Sequence, residues 1–190
     1  MKWWVGLIIG VAVLIFVVLI IRALVNVYNR LVEGREKVKN GWSQIDVQLR
    51  RRFDLIPNLV ETVKGYAAHE KETLEQVTMW RSRVSSATTT EESIAANAGL
   101  SSALGRLLVT MEKYPELKAN ENFLRLQSEL TEIENKIAFS RQFYNDTVQK
   151  FNVLVKKFPS NIIASIFKFK EEKFFEVDES VRETVPQVKF

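Results

Sequence analysis

The chain opens on an unbroken run of apolar residues from Trp3 to Ile21, with Lys2 before it and Arg22 after it. A helix needs roughly 20 such residues to cross the hydrocarbon core of a bilayer. The run is longer than the apolar core of a secretory signal, about 7–15 residues, and no A-x-A-like cleavage site follows it. It therefore predicts a retained transmembrane helix, whose membrane-spanning side chains include Trp3, Trp4, Ile9, Phe16 and Ile21.

Apolar side chains continue beyond the span at alternating steps of three and four residues, the spacing of a helix that packs in a bundle or coiled coil. No Pro intervenes, so the transmembrane helix is predicted to continue into a first soluble helix that ends at Arg52. The stretch from Asp54 to Pro57 then favours a tight reversal, because the residue before a Pro is biased away from helical angles. A kink within one long helix is the alternative interpretation.

The same spacing, with helix-start and helix-stop signals, predicts three further helices. They run from Asp54 to Val84, from a capping box at Thr89 to Met111, and from Asn120 or Asn122 to Phe158. The predicted fold is therefore all-α: an N-terminal transmembrane helix that continues into an antiparallel up-and-down four-helix bundle. The predicted domains are a transmembrane anchor at 1–25, the bundle at 26–158, and a membrane-proximal segment and tail at 159–190.

Four polar residues lie on or beside the predicted core seams: Arg35 and Arg52 on the first helix, and Asn135 and Arg141 on the fourth. A buried polar group is tolerated only when it is paired. Such a pair can also fix the register between helices, which is our hypothesis for these candidate core polar residues.

The segment after Pro159 mixes apolar and basic side chains. In an up-and-down bundle the first helix leaves the membrane and the fourth returns to it, so this segment is predicted to lie near the bilayer surface. Aromatic, branched apolar and Lys side chains suit an interfacial segment. The candidate membrane-surface residues are Ile162, Ile166, Phe167, Lys168, Phe169 and Lys170. The alternative is that Ile162, Ile166 and Phe167 cover the open end of the bundle.

Composition limits the chemistry that the chain can perform. The 27 Lys and Arg and 23 Asp and Glu are interspersed, which is typical of solvated helix faces rather than of a nucleic-acid groove. There is no Cys, and His69 is the single His, so Cys-ligated zinc, a Cys–His nucleophile pair and an HExxH zinc site are excluded. We expect no catalytic residues, no metal and no cofactor, and therefore a protein that is not an enzyme.

Basic residues beside the span indicate its orientation, because Lys and Arg tend to remain in the cytoplasm. Only Lys2 precedes the span, whereas Arg22, Arg30, Arg35, Lys37 and Lys39 follow it. The chain is therefore predicted to be a single-pass protein of the cell membrane with a cytoplasmic bundle. An outward-facing topology is the alternative.

Several stretches resemble the LemA family. The residues that carry the resemblance are the run from Trp42 to Leu49, the run from Arg52 to Tyr66, Glu134-Asn135-Lys136-Ile137-Ala138, and Phe158-Pro159-Ser160-Asn161. The resemblance implies a bacterial, single-span protein with a four-helix bundle and without an established enzymatic activity. It also implies a link with membrane proteases and with the organisation of membrane compartments.

The sequence leads to two functional hypotheses. The first is a non-catalytic, membrane-anchored helical scaffold or adaptor that binds another envelope protein. The alternative is a membrane-shaping or lipid-surface-binding module that acts through the segment after the fourth helix. The expected partners are membrane lipid and an unidentified protein, either a membrane protease or a second copy of the chain. Neither a nucleic acid nor a small-molecule substrate is expected.

Overall fold

The computed structural model describes residues 3–67 and 69–175, and every regular element in these ranges is a helix. The helices are α1 (Trp3–Lys64), α2 (Lys71–Ser86), α3 (Thr90–Met111), α4 (Pro115–Lys118), α5 (Glu121–Lys156) and α6 (Ser160–Ile166). The predicted all-α class is confirmed, and α1 continues from the apolar run as one helix of 62 residues. The up-and-down order of the helices and the domain limits stay predictions.

Two helices in the described ranges are long and apolar enough to cross a membrane by length and composition, α1 and α3. The apolar side chains of α3 belong to a protein core, since Leu100, Leu104 and Leu107 are buried. The apolar part of α1 is not buried at all. More than half of each side chain is exposed at Trp3, Trp4, Ile9, Phe16 and Ile21. Exposed apolar surface is unfavourable in water, so this exposure favours a lipid environment for the start of α1.

The predicted reversal between Asp54 and Pro57 is wrong, because α1 passes through Pro57 and ends at Lys64. A Pro inside a helix lacks the N–H that would bond the carbonyl four residues earlier, here that of Phe53. Arg81 on α2 compensates for this loss. Its Nε donates to the Phe53 carbonyl oxygen at 3.4 Å, and its guanidinium lies 4.0 Å from the centre of the Phe53 ring. One long helix is therefore formed, and the next helix begins at Lys71.

The chain divides into two compact units. Among the described residues, unit 1 consists of residues 3–42 and 142–174, and unit 2 consists of residues 43–67, 69–141 and 175. Of the three boundaries, one falls within α1, one falls within α5, and the third follows Phe174. Each unit has its own set of buried apolar side chains.

In unit 1, the end of α5 and α6 pack against α1. Two glycines of α1 permit the close approach of α5. A Cβ on Gly34 would lie 3.0 Å from the Phe151 ring, and a Cβ on Gly41 would lie 3.4 Å from Tyr144 Cα. The buried side chains of this unit include Leu31, Val38, Val148, Phe151, Ile163, Ala164 and Phe169.

The chain leaves α6 through a Schellman turn. Phe169 N–H donates to the Ala164 carbonyl at 2.8 Å, and Lys168 N–H donates to the Ser165 carbonyl at 3.2 Å. Lys168 occupies the left-handed region of the turn, with φ 58°. A side chain in that region costs about 1–2 kcal/mol, which a Gly would avoid.

Residues 169–174, which we name the strap, are then held against α5. The side chain of Asn152 accepts a hydrogen bond from Glu172 N–H and donates one to the Glu172 carbonyl, both at 2.9 Å. Tyr144 donates its hydroxyl proton to the Lys173 carbonyl, also at 2.9 Å. The side chains of α5 thus replace the backbone partners that an extended segment would otherwise lack.

Unit 2 has a core to which α2, α3, α4, α5 and the last part of α1 all contribute. Its fully buried members are Ile56, Leu59, Val63, Val77, Leu100, Leu107, Met111 and Leu117. The predicted capping box is present at the start of α3, where Thr89 and Glu92 exchange side-chain and backbone hydrogen bonds. Of the two predicted caps of α5, Asn120 is used, and it accepts a hydrogen bond from Phe123 N–H at 3.0 Å.

Candidate functional site

An open groove of about 800 Å³ runs between α2 and α3 in unit 2. We name it the α2–α3 groove, and its lining includes Glu72, Trp80, Gly99, Gly105, Arg106 and Val109. Val109 is 71% exposed, although it stands on a helix whose other face forms the core. The groove therefore combines apolar surface with one acidic and one basic side chain.

Two glycines give the α2–α3 groove its shape in different ways. A Cβ on Gly99 would lie 2.4 Å from the Trp80 ring, so the ring rests directly against the backbone of α3. A Cβ on Gly105 would meet nothing within 4 Å, so this part of the α3 surface is open. The Arg83 guanidinium lies over the Trp80 ring at 4.5 Å from its centre.

A buried polar network surrounds Arg52, whose side chain is 0% exposed. Its Nη1 donates to Ser101 Oγ at 2.5 Å and to Glu134 Oε1 at 2.6 Å. Its Nη2 donates to Asn97 Oδ1 at 2.6 Å and to the Asn97 carbonyl at 3.3 Å. The network therefore joins α1, α3 and α5, and the side chain of Glu134 is its exposed end.

Arg141 lies beside this network and is half-buried. Its guanidinium stands over the Phe175 ring at 4.4 Å, and its Nε is buried without a hydrogen-bond partner. Burial lowers the pKa of Arg141, and the positive charge of Arg52 lowers it further, whereas Glu134 acts in the opposite direction. Glu134 is thus bonded to Arg52, whereas it acts on Arg141 only through its charge.

Two of the four candidate core polar residues are not in the core. Arg35 is exposed, with its guanidinium 5.1 Å from the centre of the Phe169 ring. Long basic side chains at the edge of a core often leave their charged end in solvent in this way. Asn135 is exposed on α5, because Ile133 and Ile137 occupy the buried positions, and residues two apart do not share a helix face.

The candidate membrane-surface residues also divide into exposed and buried members. Ile162, Ile166, Phe167, Lys168 and Lys170 are exposed, whereas Phe169 is buried as the apolar contact of the Schellman turn. The Phe167 ring contacts Tyr28 on α1, with 4.7 Å between ring centres. Ile163, Ala164 and Phe169 are the side chains that cover unit 1, in place of the alternative set Ile162, Ile166 and Phe167.

Residues 3–67 and 69–175 contain no arrangement of side chains that is typical of a catalytic site. No cluster of three or more Asp, Glu or His side chains in these ranges could hold a metal ion. His69 is exposed in the connection between α1 and α2.

Sequence reasoning missed several of the residues that shape these sites. Asn97 and Ser101, the partners of Arg52, lie in a stretch rich in Ala, Ser and Gly that gave no sign of buried polar groups. The groove beside Trp80 was also missed. The one usable signal in the sequence was Arg52 at an apolar seam position, because a buried guanidinium requires polar partners on neighbouring helices.

The fold and these surfaces define an all-α, membrane-associated protein with an apolar N-terminal helix. The LemA family model matches residues 41–190, so the chain belongs to the LemA family. The resemblance seen in the sequence is thereby confirmed.

The chain is also similar to individual members of the family and to magnetosome proteins. It is 27% identical to Protein LemA of Metamycoplasma hominis over 155 residues, which are 81% of this chain and 71% of that protein. It is 26% identical to Magnetosome protein MamQ 2 of Paramagnetospirillum magneticum, over 84% of this chain and 68% of that protein. It is 25% identical to Magnetosome protein MamQ of Magnetospirillum gryphiswaldense, over 90% and 72% respectively. None of these names denotes an enzyme.

Proposed function

We propose that this protein is a non-catalytic, membrane-anchored scaffold or adaptor, and that its α2–α3 groove binds an amphipathic helix of another envelope protein. The observation that carries the proposal is this open groove, in which exposed Val109 and the Trp80 ring lie beside the uncovered backbone at Gly105. The names of the relatives support it, because they describe members of a family and of a bacterial compartment rather than reactions.

The chemistry of the groove indicates its occupant. The open surface at Gly105 lets a second helix backbone approach closely, and Val109 offers an apolar contact. Glu72 and Arg106 on the lining carry opposite charges. The fitting partner is therefore a helix with an apolar stripe and with charges of both signs beside it.

In-cell photocrosslinking of the full-length protein tests the proposal. A photoreactive side chain at Val109 should capture the same envelope protein reproducibly, whereas one at exposed Lys113 should not. The variant Gly105→Leu would fill the groove without touching the core, and it should abolish capture with a melting temperature no lower than that of the parent.

Capture that survives Gly105→Leu would contradict binding in the groove. If only further copies of this chain are captured, the protein is a self-assembling structural component rather than an adaptor. A membrane protease is one partner that the experiment can identify directly.

We also propose that the bundle faces the cytoplasm, since five basic residues follow the span and one precedes it. A reporter enzyme fused at the C-terminus, active only on one side of the membrane, tests this orientation. Activity on the outer side would reverse it.

A further inference from the structure

We propose that the exposed face of α6, together with Lys168, binds the head-group layer of anionic phospholipid in the membrane that α1 crosses. This surface belongs to unit 1 and does not depend on the α2–α3 groove. Its apolar members are Ile162, Ile166 and Phe167.

The position of α6 along α1 supports a contact with lipid. Tyr28 lies seven residues beyond Ile21, which corresponds to about 10 Å along a helix. The head-group layer extends roughly 5–8 Å beyond the hydrocarbon core on each side of a bilayer. Tyr28 Cα thus stands about 2–5 Å beyond that layer. Because helical side chains lean toward the N-terminus, here toward the membrane, the Tyr28 ring and the Phe167 ring that contacts it border the head groups when the apolar run spans the membrane.

The two faces of α6 have different surroundings. Ile163 and Ala164 are buried in unit 1, whereas Ile162 and Ile166, four residues apart and hence on one helix face, are 50% and 65% exposed. The exposed side of α6 thus carries an apolar strip of Ile162 and Ile166 beside the polar Asn161 and Ser165, an arrangement typical of an interfacial helix. Beside a bilayer, the free face can enter the interface.

The charges around α6 favour an anionic surface. Lys157, Lys168 and Lys170 are exposed within or beside the segment. Glu171 is the exposed acidic residue that lies nearest to these lysines in the sequence, and its carboxylate is already paired with Lys156 Nζ at 2.7 Å. Within residues 3–67 and 69–175 these three lysines have no ion pair, and ammonium groups beside an apolar face attract anionic head groups.

Lys168 provides an independent indication. It occupies a left-handed position, φ 58°, which a Gly would adopt without strain. Within the described residues, the Lys168 side chain makes no hydrogen bond that would explain why a Lys occupies this strained position. A cation at the edge of an interfacial helix is explained if the side chain meets a lipid phosphate.

The absence of Cys from the chain permits a direct test with the full-length protein. The variant Ile166→Cys would carry a single spin label, and Val109→Cys would be the matched control on an exposed apolar residue of unit 2. Each protein would be placed in nanodiscs of phosphatidylcholine alone or of equal parts phosphatidylcholine and phosphatidylglycerol. Power saturation with oxygen and with a water-soluble nickel chelate then reports lipid or water around the label.

We expect the Ile166 label to be oxygen-rich and nickel-poor in the anionic discs, and to lose this protection at high salt or with Lys168→Gly. Lys168→Gly should melt no lower than the parent, because it relieves the strained position, so misfolding would not explain the loss. A label as accessible to nickel as the Val109 control would overturn lipid binding. Equal protection in both lipids, insensitive to Lys168→Gly, would overturn the selection of anionic lipid.

Discussion

Replacing Arg52 by Met is the sharpest test of how unit 2 is held together. Met is close to Arg in length but cannot donate hydrogen bonds, so the variant removes the centre of the network that joins α1, α3 and α5. The groups left behind are Asn97 Oδ1, Ser101 Oγ and the Glu134 carboxylate. They differ in how well water can reach them.

The expected loss follows from that difference in exposure. Asn97 is 1% exposed, so the loss of the partner of its Oδ1 should cost about 1–3 kcal/mol, although its Nδ2 still donates to Ser93. Ser101 and Glu134 are partly exposed and can regain water, which leaves about 1 kcal/mol for each lost bond. Relief of the desolvation of the guanidinium offsets part of the loss. We expect Arg52→Met to cost about 3 kcal/mol, or about 6–12 °C in melting temperature for a chain of this size.

Glu134→Gln is the companion variant. Removing one partner of a fully buried ion pair costs about 3–5 kcal/mol, but the Glu134 side chain is 41% exposed, so solvent screening reduces the expected cost to about 1–2 kcal/mol. The double variant should lose less than the sum of the single losses, because both changes remove the same ion pair.

Thermal unfolding of the full-length protein in detergent, followed by the helical circular dichroism signal, measures all three variants. An Arg52→Met protein as stable as the parent would refute the reasoning. In that case the desolvation of Arg52 would outweigh its hydrogen bonds, as happens when some buried ion pairs are replaced by apolar side chains.

Four further outcomes are expected from the structure. Arg81→Leu should lower the free energy of unfolding by about 1 kcal/mol in a denaturant titration. The same change should cost less in a Pro57→Ala background, because the introduced alanine has an N–H that can bond the Phe53 carbonyl in place of Arg81. Hydrogen bonds from the backbone N–H and the hydroxyl of Thr88, and then from the Thr89 N–H of the capping box, hold the pKa of Glu92 below its ordinary value of 4.5. Its contribution to stability is therefore present at neutral pH and lost as pH falls through the lowered pKa, so the melting temperatures of the parent and Glu92→Gln should converge on acidification. Gly105→Ala should stabilise by about 0.5–1 kcal/mol in the same melts, because the new methyl group meets no atom within 4 Å. Asn152→Ala should speed hydrogen exchange in the strap, measured by mass spectrometry, since two backbone groups lose their partner.

Local signals were sufficient for much of this fold. The length of the apolar run predicts the start of α1, because the hydrocarbon thickness of a bilayer is fixed. The Thr89–Glu92 spacing predicts the start of α3, because both capping hydrogen bonds lie within one turn. In each case the decisive interaction is contained in the stretch that signals it.

The predictions that were wrong depended on residues distant in sequence. Pro57 was expected to end a helix, but a donor from Arg81, on the next helix, occupies the carbonyl that it leaves free. The seam position of Arg35 suggested burial, but the identity of its neighbour, Phe169, is set by the turn after α6. Periodicity records which face of a helix is apolar, whereas it does not record which segment packs there.

The same distinction explains why the sequence did not reveal the α2–α3 groove, and why it left open whether Ile166 lies at the membrane surface or covers the end of the bundle. Exposed Val109 and exposed Ile166 each belong to an apolar helix, and in sequence both could be core residues. They differ in the surroundings that packing gives them. Val109 lines a groove with charges of both signs. Ile166 is followed by Phe167, which contacts Tyr28 near the membrane span, and by nearby lysines. Each surface lies within one unit, and the two share no residue. Gly105→Leu should therefore impair protein capture while lipid protection persists, and Lys168→Gly should do the reverse, so that the scaffold and the lipid contact can be tested separately.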